Sequence, residues 1–267
     1  MNNRVDGHQA RKRFGQNFLA DSAVVARIVE CIQPSPDDQL LEIGPGLGAL
    51  THALLERVDH LTAIELDRDL AARLRAETQI QNRLTLIEGN ALHIDYHHLA
   101  LGANWRIVGN LPYNISTPLL FVLLGYAADI KDMYFMLQKE VVERMIAPPG
   151  SKTYGRLSIM LQYRCQVDAL FDVPPESFVP APKVMSAVVR LQPRPWHMNC
   201  CNETTLDRLV ARVFNQRRKT MRTILRGTMD DEHWQTLDLD PGARPETMDI
   251  DAFILLSNHL AARDIMP

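Results

Sequence analysis

Residues Gly109 to Thr117 read GNLPYNIST, a segment that could do chemistry on an aromatic amine. Asn110 offers a side-chain carbonyl, and Leu111 and Pro112 offer backbone carbonyls. Pro112 has no N–H and stiffens the loop. The exocyclic amine of adenine is a poor nucleophile because its lone pair is delocalised into the ring. Two acceptors aimed at its hydrogens favour a pyramidal nitrogen and free that pair. Tyr113 can stack on a base lifted from its strand, an interaction worth about 1–3 kcal/mol. A second aromatic is expected on the other face of the base. Phe178, in the proline-rich loop PPESFVPAPKV (Pro174 to Val184), is the candidate. Asn110, Leu111, Pro112, Tyr113 and Phe178 form the expected catalytic set.

A second segment, LEIGPGLGALT (Leu41 to Thr51), places Gly44, Gly46 and Gly48 on a strand-to-helix turn. Glycines there let the backbone turn sharply and approach a ligand closely. The helix behind supplies amide donors and a positive dipole end. Taken alone the loop is ambiguous, because Gly44, Gly46 and Ala49 also satisfy a dinucleotide pattern. Glu65 closes the next strand, where a carboxylate can accept both ribose hydroxyls of an adenosine cofactor. Glu42 makes the motif E-x-G-x-G-x-G, which resembles the first motif of S-adenosylmethionine methyltransferases. A buried acid there could orient the loop or pair with a cationic cofactor. Asn90 ends the third strand and offers an acceptor to the cofactor's adenine amine.

The elements that must position these groups follow from the apolar pattern. Short buried runs begin at Leu41, Leu61, Leu84, Trp105 and Met133, and helical patterns cover about 49–58 and 69–78. Alternating strands and helices predict a mostly parallel α/β sheet covered on both faces. SAVVRL (Ser186 to Leu191) reads as a late antiparallel strand. QPRPWHMNCCN (Gln192 to Asn202) reads as a linker, and the remainder reads as helical. Two domains are expected: 1–195, a Rossmann-like methyltransferase domain, and 203–267, a smaller helical RNA-binding domain.

The 267 residues are 46% hydrophobic and 23% charged, an ordinary globular composition that argues against disorder. Four cysteines without a CxxC pair argue against a disulfide framework or a metal site, and fit a reducing cytoplasm. No apolar run approaches membrane-spanning length. The net charge of −3 speaks weakly against nucleic acid, so a local basic cluster is required. From Leu206 to Thr228 there are seven basic residues and one acid. On one continuous helix, Arg208, Arg212, Lys219, Arg222 and Arg226 would share a face, opposite Leu206, Val210, Val213, Met221 and Ile224. Arg217 would fall on the apolar side, buried in an ion pair. Arg11, Lys12 and Arg13 form a second basic run. Phosphate contact is the reading adopted for both, and a solvated face is the alternative.

Four segments, RKRFGQNFL (Arg11 to Leu19), LEIGPGLGALT, GNLPYNIST and FNQRRKTMR (Phe214 to Arg222), occur in the order found in the KsgA (RsmA) family. The chain resembles these small-subunit ribosomal RNA adenine dimethyltransferases from end to end. The resemblance implies a class I methyltransferase domain with a helical C-terminal domain, S-adenosylmethionine as cofactor and S-adenosylhomocysteine as product, without a metal. It implies dimethylation of two adjacent adenosines in the last hairpin loop of 16S rRNA, within the 30S subunit, by a cytoplasmic enzyme. It also implies that Gln16, Asn17 and Leu19 wrap over the cofactor, that Gly44, Glu65 and Asn90 line its site, and that Asn110 meets the target amine; Gly46 and Asn110 complete the expected cofactor-binding set. The chain departs from the family at Asn90, usually Asp, and at Met185, usually acidic. A large-subunit rRNA methyltransferase, a non-catalytic assembly factor and a nicotinamide dehydrogenase are the alternatives. A monomer without membrane contact is expected.

Overall fold

The structure, a computed structural model, describes residues 4–5, 8–9, 11, 15–99 and 104–265. The elements run in chain order as β1 (Arg4–Val5), β2 (His8–Gln9), β3 (Phe18–Leu19), α1 (Ser22–Ile32), β4 (Leu40–Ile43), α2 (Ala49–Leu55), β5 (Leu61–Glu65), α3 (Arg68–Ala76), β6 (Leu84–Glu88), α4 (Tyr96–Leu99), β7 (Trp105–Asn110) and α5 (Ser116–Leu124). They continue as β8 (Ile130–Gln138), α6 (Lys139–Met145), α7 (Arg156–Arg164), β9 (Cys165–Val173), β10 (Phe178–Val179), β11 (Ser186–Pro193), α8 (Glu203–Phe214), α9 (Met221–Ile224), α10 (Asp231–Thr236) and α11 (Ile250–Ala261). They form two compact units, 1–142 with 166–193, and 143–165 with 194–267.

The first unit is built on a seven-stranded sheet in the order β6-β5-β4-β7-β8-β11-β9. β4 pairs in parallel with β5 and β7, β5 with β6, and β7 with β8; β11 pairs antiparallel to β8. Every residue of β4 and β5 is buried, as a strand covered on both faces requires. Helix α1 buries Val25, Ile28, Val29 and Ile32 along one stripe. Its start is fixed by Asp21, whose carboxylate accepts from the Ala23 and Val24 amides. Those side chains join Leu54, Leu61, Leu74, Val108 and Val188 in the core. The strand order reverses at β4, between β5 and β7, and a crevice opens at the carboxyl end of such a strand.

At the other end of β7, Arg106 is buried. It donates to Asp132 at 2.8 and 2.9 Å, to Asp38 at 2.7 Å and to the Ile32 carbonyl at 2.6 Å. One guanidinium thus ties β7, β8 and the C-terminus of α1 together.

The second unit packs Leu206, Leu209 and Val213 of α8 with Phe253, Ile254 and Leu260 of α11. The Phe214 ring lies 6.1 Å from Tyr154 and 6.0 Å from Phe253. This unit takes in residues 143–165, which the sequence reading placed with the sheet. The reason is α7: Arg156 reaches Asp207 on α8 at 2.7 Å, and Tyr154 packs on Phe214.

Three further expectations need correction. Gln192 and Pro193 belong to β11, and the rest of the expected linker is pinned to α11. Trp196 donates to Asp251 at 2.7 Å, and the Cys201 amide donates to Asn258 at 2.8 Å. Strand β9 was not expected, since Asp168 and Asp172 interrupt its apolar run; Asp168 is matched by Arg190 at 2.8 Å. The single basic helix is two helices, α8 and α9, separated by a turn at 215–220. The Gln216 amide donates to Val213 and the Lys219 amide to Gln216, so the backbone tightens and turns after Phe214.

Arg106→Ala should destabilise the protein by about 3–5 kcal/mol, because it leaves Asp132 charged, buried and unmatched and leaves Asp38 with only Lys131 and the Ser35 amide. Urea unfolding checks this; a midpoint equal to that of the wild type would contradict it.

Candidate active site

A cleft of about 340 Å³ lies at the carboxyl ends of β4, β5, β6 and β7. Gln16, Asn17, Leu19, Gly44, Gly46, Glu65, Asn90, Asn110, Leu111, Pro112 and Tyr113 all line it. The structure therefore gathers the expected cofactor residues and most of the expected catalytic ones into one place.

The glycine loop is shaped by its conformation. Gly44 and Gly46 have φ of 72° and 60°, in the left-handed region that side chains disfavour. A Cβ on Gly46 would stand 3.1 Å from the Phe18 ring, while one on Gly44 would find only the Asn110 carbonyl, at 4.0 Å. The loop is thus packed against β3 at one glycine and open towards the cleft at the other.

Two carboxyls lie beneath it. Glu65 Oε2 accepts from the Gly46 amide at 3.1 Å, and Oε1 accepts from the Asp67 amide at 2.8 Å. Burial raises the Glu65 pKa, against the pull of those amides. Glu42 is 1% exposed and accepts from the Thr51 hydroxyl at 2.7 Å. Its pKa is pushed up to about 7, first by burial and also by the charge of Glu65, while the Thr51 bond opposes the rise. Among the described residues lining the cleft there are two carboxylates and no lysine or arginine. Such a lining suits a cationic ligand better than a pyrophosphate.

On the other wall, Gly109 is required because a Cβ would strike the Ile43 carbonyl at 2.5 Å. This lets β7 run close beside β4 and sets Asn110 at the cleft. Asn110 Nδ2 donates to the Asn17 carbonyl at 2.9 Å, which fixes the amide; Oδ1 takes no donor among the described residues. The Pro112 carbonyl accepts from the Ile115 amide at 3.1 Å. Tyr113 shares a 2.8 Å hydrogen bond with Ser186, a fully buried serine that opens β11. Partial burial raises the Tyr113 pKa, so its hydroxyl remains neutral; the residue lines the cleft.

Several residues stand elsewhere than expected. Phe178 is 3% exposed and belongs to the core, held there by pairing with Leu19 across β10 and β3; it does not line the cleft. Within an otherwise partly exposed loop this small ladder turns Phe178 inward, away from the cleft, so the side chain is not placed to stack on a base there. The Asn90 acceptor is occupied by the Leu92 amide at 3.0 Å, an Asx turn. Arg11 pairs with Asp67 at 2.7 Å and with Asp69. Lys12 and Arg13 lie outside the described residues. Arg212 is turned inward, donating to the Ile224 carbonyl at 2.7 Å. Arg222 pairs with Asp231 at 2.7 Å, while Arg208, Lys219, Arg222 and Arg226 are exposed. Arg217 is half-buried, 3.9 Å from Glu246. The sequence reading passed over Phe18, Asp67 and Ser186. Only Asp67, an N-cap residue two positions after Glu65, carried a local signal.

The strand order, the antiparallel last pair and the acid ending β5 define a class I methyltransferase fold. The comparisons extend this to the family. The family model described as "Ribosomal RNA adenine dimethylase" matches residues 7–262. A protein named ribosomal RNA small subunit methyltransferase A from Aromatoleum aromaticum is 52% identical over 96% of both chains. Its namesake from Proteus mirabilis is 52% identical over 98% of both. Among solved structures, a dimethyladenosine transferase from Plasmodium falciparum superposes with a TM-score of 0.77 at 26% identity, over 93% of this chain and 98% of the other. The 23S rRNA methyltransferase ErmE shares the fold, with a TM-score of 0.71 at 24% identity over 92% of this chain and all of the other. The chain belongs to the ribosomal RNA adenine dimethylase family.

Glu42 yields a pH prediction. Its folded pKa lies above the ordinary value of 4.5, so the folded state holds its proton more tightly than the unfolded chain does. Stability from this group is full below pH 4.5, declines as pH rises to about 7, and is constant above. Relative to Glu42→Gln, the wild type should lose about 3 kcal/mol across that window. Urea unfolding at a series of pH values checks this, and a constant difference between the two proteins would contradict it.

Proposed function

We propose that this chain transfers methyl groups from S-adenosylmethionine to the N6 amines of two adjacent adenosines in the 3′-terminal hairpin loop of 16S rRNA, within the 30S subunit. S-adenosylhomocysteine is the product. The observation that carries the reading is Asn110. Its amide is fixed through Nδ2 to the Asn17 carbonyl, so its oxygen is presented to the same cleft that holds Glu65 and the glycine loop. The small-subunit substrate is supported by the names and full-length similarity of the Aromatoleum and Proteus relatives.

The residues present fit the cofactor. Glu65 would accept from its ribose, the open face of Gly44 would leave room beside the Asn110 carbonyl, and an acidic lining without lysine or arginine among the described residues would favour its positive charge. When bound, that cofactor supplies an activated methyl on a sulfonium, with a neutral thioether as leaving group. Asn110 Oδ1 and the Leu111 carbonyl would accept the two hydrogens of the amine; the Pro112 carbonyl already has the Ile115 amide as donor. Tyr113, its hydroxyl tethered to Ser186, would present its ring to the base. Catalysis is positioning and electrostatics, and the proton released from the methylated amine passes to water. The Asn90 side chain, busy in its turn, would serve the adenine pocket as a shaped wall. No metal is needed, and because the substrate is ribosomal the place of action is the cytoplasm, with the enzyme as a monomer.

RNA would be held by the exposed basic residues that follow Leu206: Arg208, Lys219, Arg222 and Arg226. Arg212 supports the turn between α8 and α9.

Asn110→Ala should abolish transfer to unmodified 30S subunits while retaining 30S binding. Full activity would sink the role given to Asn110, and methylation confined to large-subunit RNA would overturn the substrate. Glu65→Ala should weaken cofactor binding by about 1–3 kcal/mol, through the loss of charge-assisted hydrogen bonds. Calorimetry giving an unchanged affinity would reject that role. The double variant Arg222→Ala, Arg226→Ala should lower subunit affinity and flatten its salt dependence. An unaltered slope would mean that this surface is only solvated.

A further inference from the structure

Asp67 is an acid with almost no solvent exposure, 1%; among the described residues the other buried acids sit under the glycine loop or beside Arg106. Four bonds account for its burial. Its amide donates to Glu65 Oε1 at 2.8 Å. Its Oδ1 accepts from Arg11 Nη1 at 2.7 Å and from the Asp69 amide at 3.1 Å. Its Oδ2 accepts from Gln16 Nε2 at 3.0 Å. Arg11 closes the set: its amide donates to Gln16 Oε1 at 2.8 Å, and its second guanidinium nitrogen pairs with Asp69. Gln16 is followed by Asn17, whose carbonyl fixes the Asn110 amide at 2.9 Å. A continuous path, hydrogen-bonded at every step but the Gln16–Asn17 backbone, therefore runs from Gly46 through Glu65 and Asp67 to Gln16, Asn17 and Asn110. It crosses the cleft from the cofactor wall to the amine wall.

Residues 15–17 lie outside every helix and strand, so side chains must hold them in place. Ordering such a segment costs conformational entropy, and the bonds that offset it are the Gln16 and Arg11 contacts with Asp67. Arg11 is suited to this because its planar fork meets Asp67 with one nitrogen and Asp69 with the other.

We propose that Arg11 is a positioning residue that acts through Asp67 and Gln16 to hold residues 15–17 over the cleft, slowing cofactor exchange and setting the angle of Asn110, rather than an RNA contact. The proposal rests on the reading of the cleft as the S-adenosylmethionine site. It reassigns a basic residue whose place in a basic run suggested phosphate.

The test is stopped-flow measurement of S-adenosylhomocysteine dissociation from the full-length protein, together with the salt dependence of 30S binding. Arg11→Ala should raise the dissociation rate about tenfold, as the loss of a charge-assisted hydrogen bond implies. Arg11→Lys should restore part of the difference, since an ammonium cannot span both carboxylates. Asp69→Ala, a change at an exposed residue, should give a smaller rise in the same direction. The salt slope of 30S binding should be the same in all of them. Equal dissociation rates in wild type and Arg11→Ala would overturn the proposal, as would an unchanged rate with a flattened salt slope, the signature of a phosphate contact. If the wild type itself binds no S-adenosylhomocysteine by calorimetry, the reading of the cleft falls and the proposal with it; binding by the wild type with no change in the variant removes the proposal alone.

Discussion

The site depends on one buried carboxylate. Glu65 ends a strand whose every residue is inaccessible, and a charge there is costly unless hydrogen-bonded. It meets that cost with two backbone amides, Gly46 in the loop after β4 and Asp67 at the start of α3. The glycine loop, the end of β5 and the helix behind it are therefore conditional on one another. Glu42 adds a second acid below, held by Thr51 on α2, so the loop is anchored from beneath as well as from the side. Bonds within the chain itself therefore define this side of the cleft, as a site that works by positioning needs.

The amine wall is built on the same frame. β4 and β7 are neighbours in the sheet, and Gly109 lets the end of β7 lie against the Ile43 carbonyl. Asn110 follows at once, so its side chain is delivered by strand geometry rather than by a loose loop. Its amide orientation depends on Asn17, a residue nearly a hundred positions away whose segment is fastened to Asp67. The glycine loop and Asn110 are thus two ends of one path made of hydrogen bonds and the Gln16–Asn17 backbone. Ser186 performs the corresponding service for Tyr113 from the antiparallel strand β11.

Much of this was legible in the sequence, and what was not has physical reasons. β4 and β5 declare themselves as mostly apolar runs because both their faces are buried, and β5 ran from Leu61 as expected. Gly44, Gly46, Glu65 and Asn110 were legible because each is a residue type demanded by local backbone or by strand-end chemistry. The pairing of Arg11 with Asp67 and Asp69 was not legible, because a run of basic residues looks alike whether it faces phosphate or a pair of aspartates far along the chain. Phe178 was misread because prolines suggest exposure, whereas its pairing with Leu19 depends on a contact that no local pattern encodes. The basic face after Leu206 failed as a single helix because helical projection assumes continuity, and the polar stretch between Phe214 and Met221 turns instead.

The most direct test of the central claim is methyl transfer from labelled S-adenosylmethionine to 30S subunits lacking the modification, with nucleoside analysis of the digested RNA. Label recovered as N6,N6-dimethyladenosine is the predicted result. Unlabelled subunits, in the presence of a protein that demonstrably binds the cofactor, would contradict it.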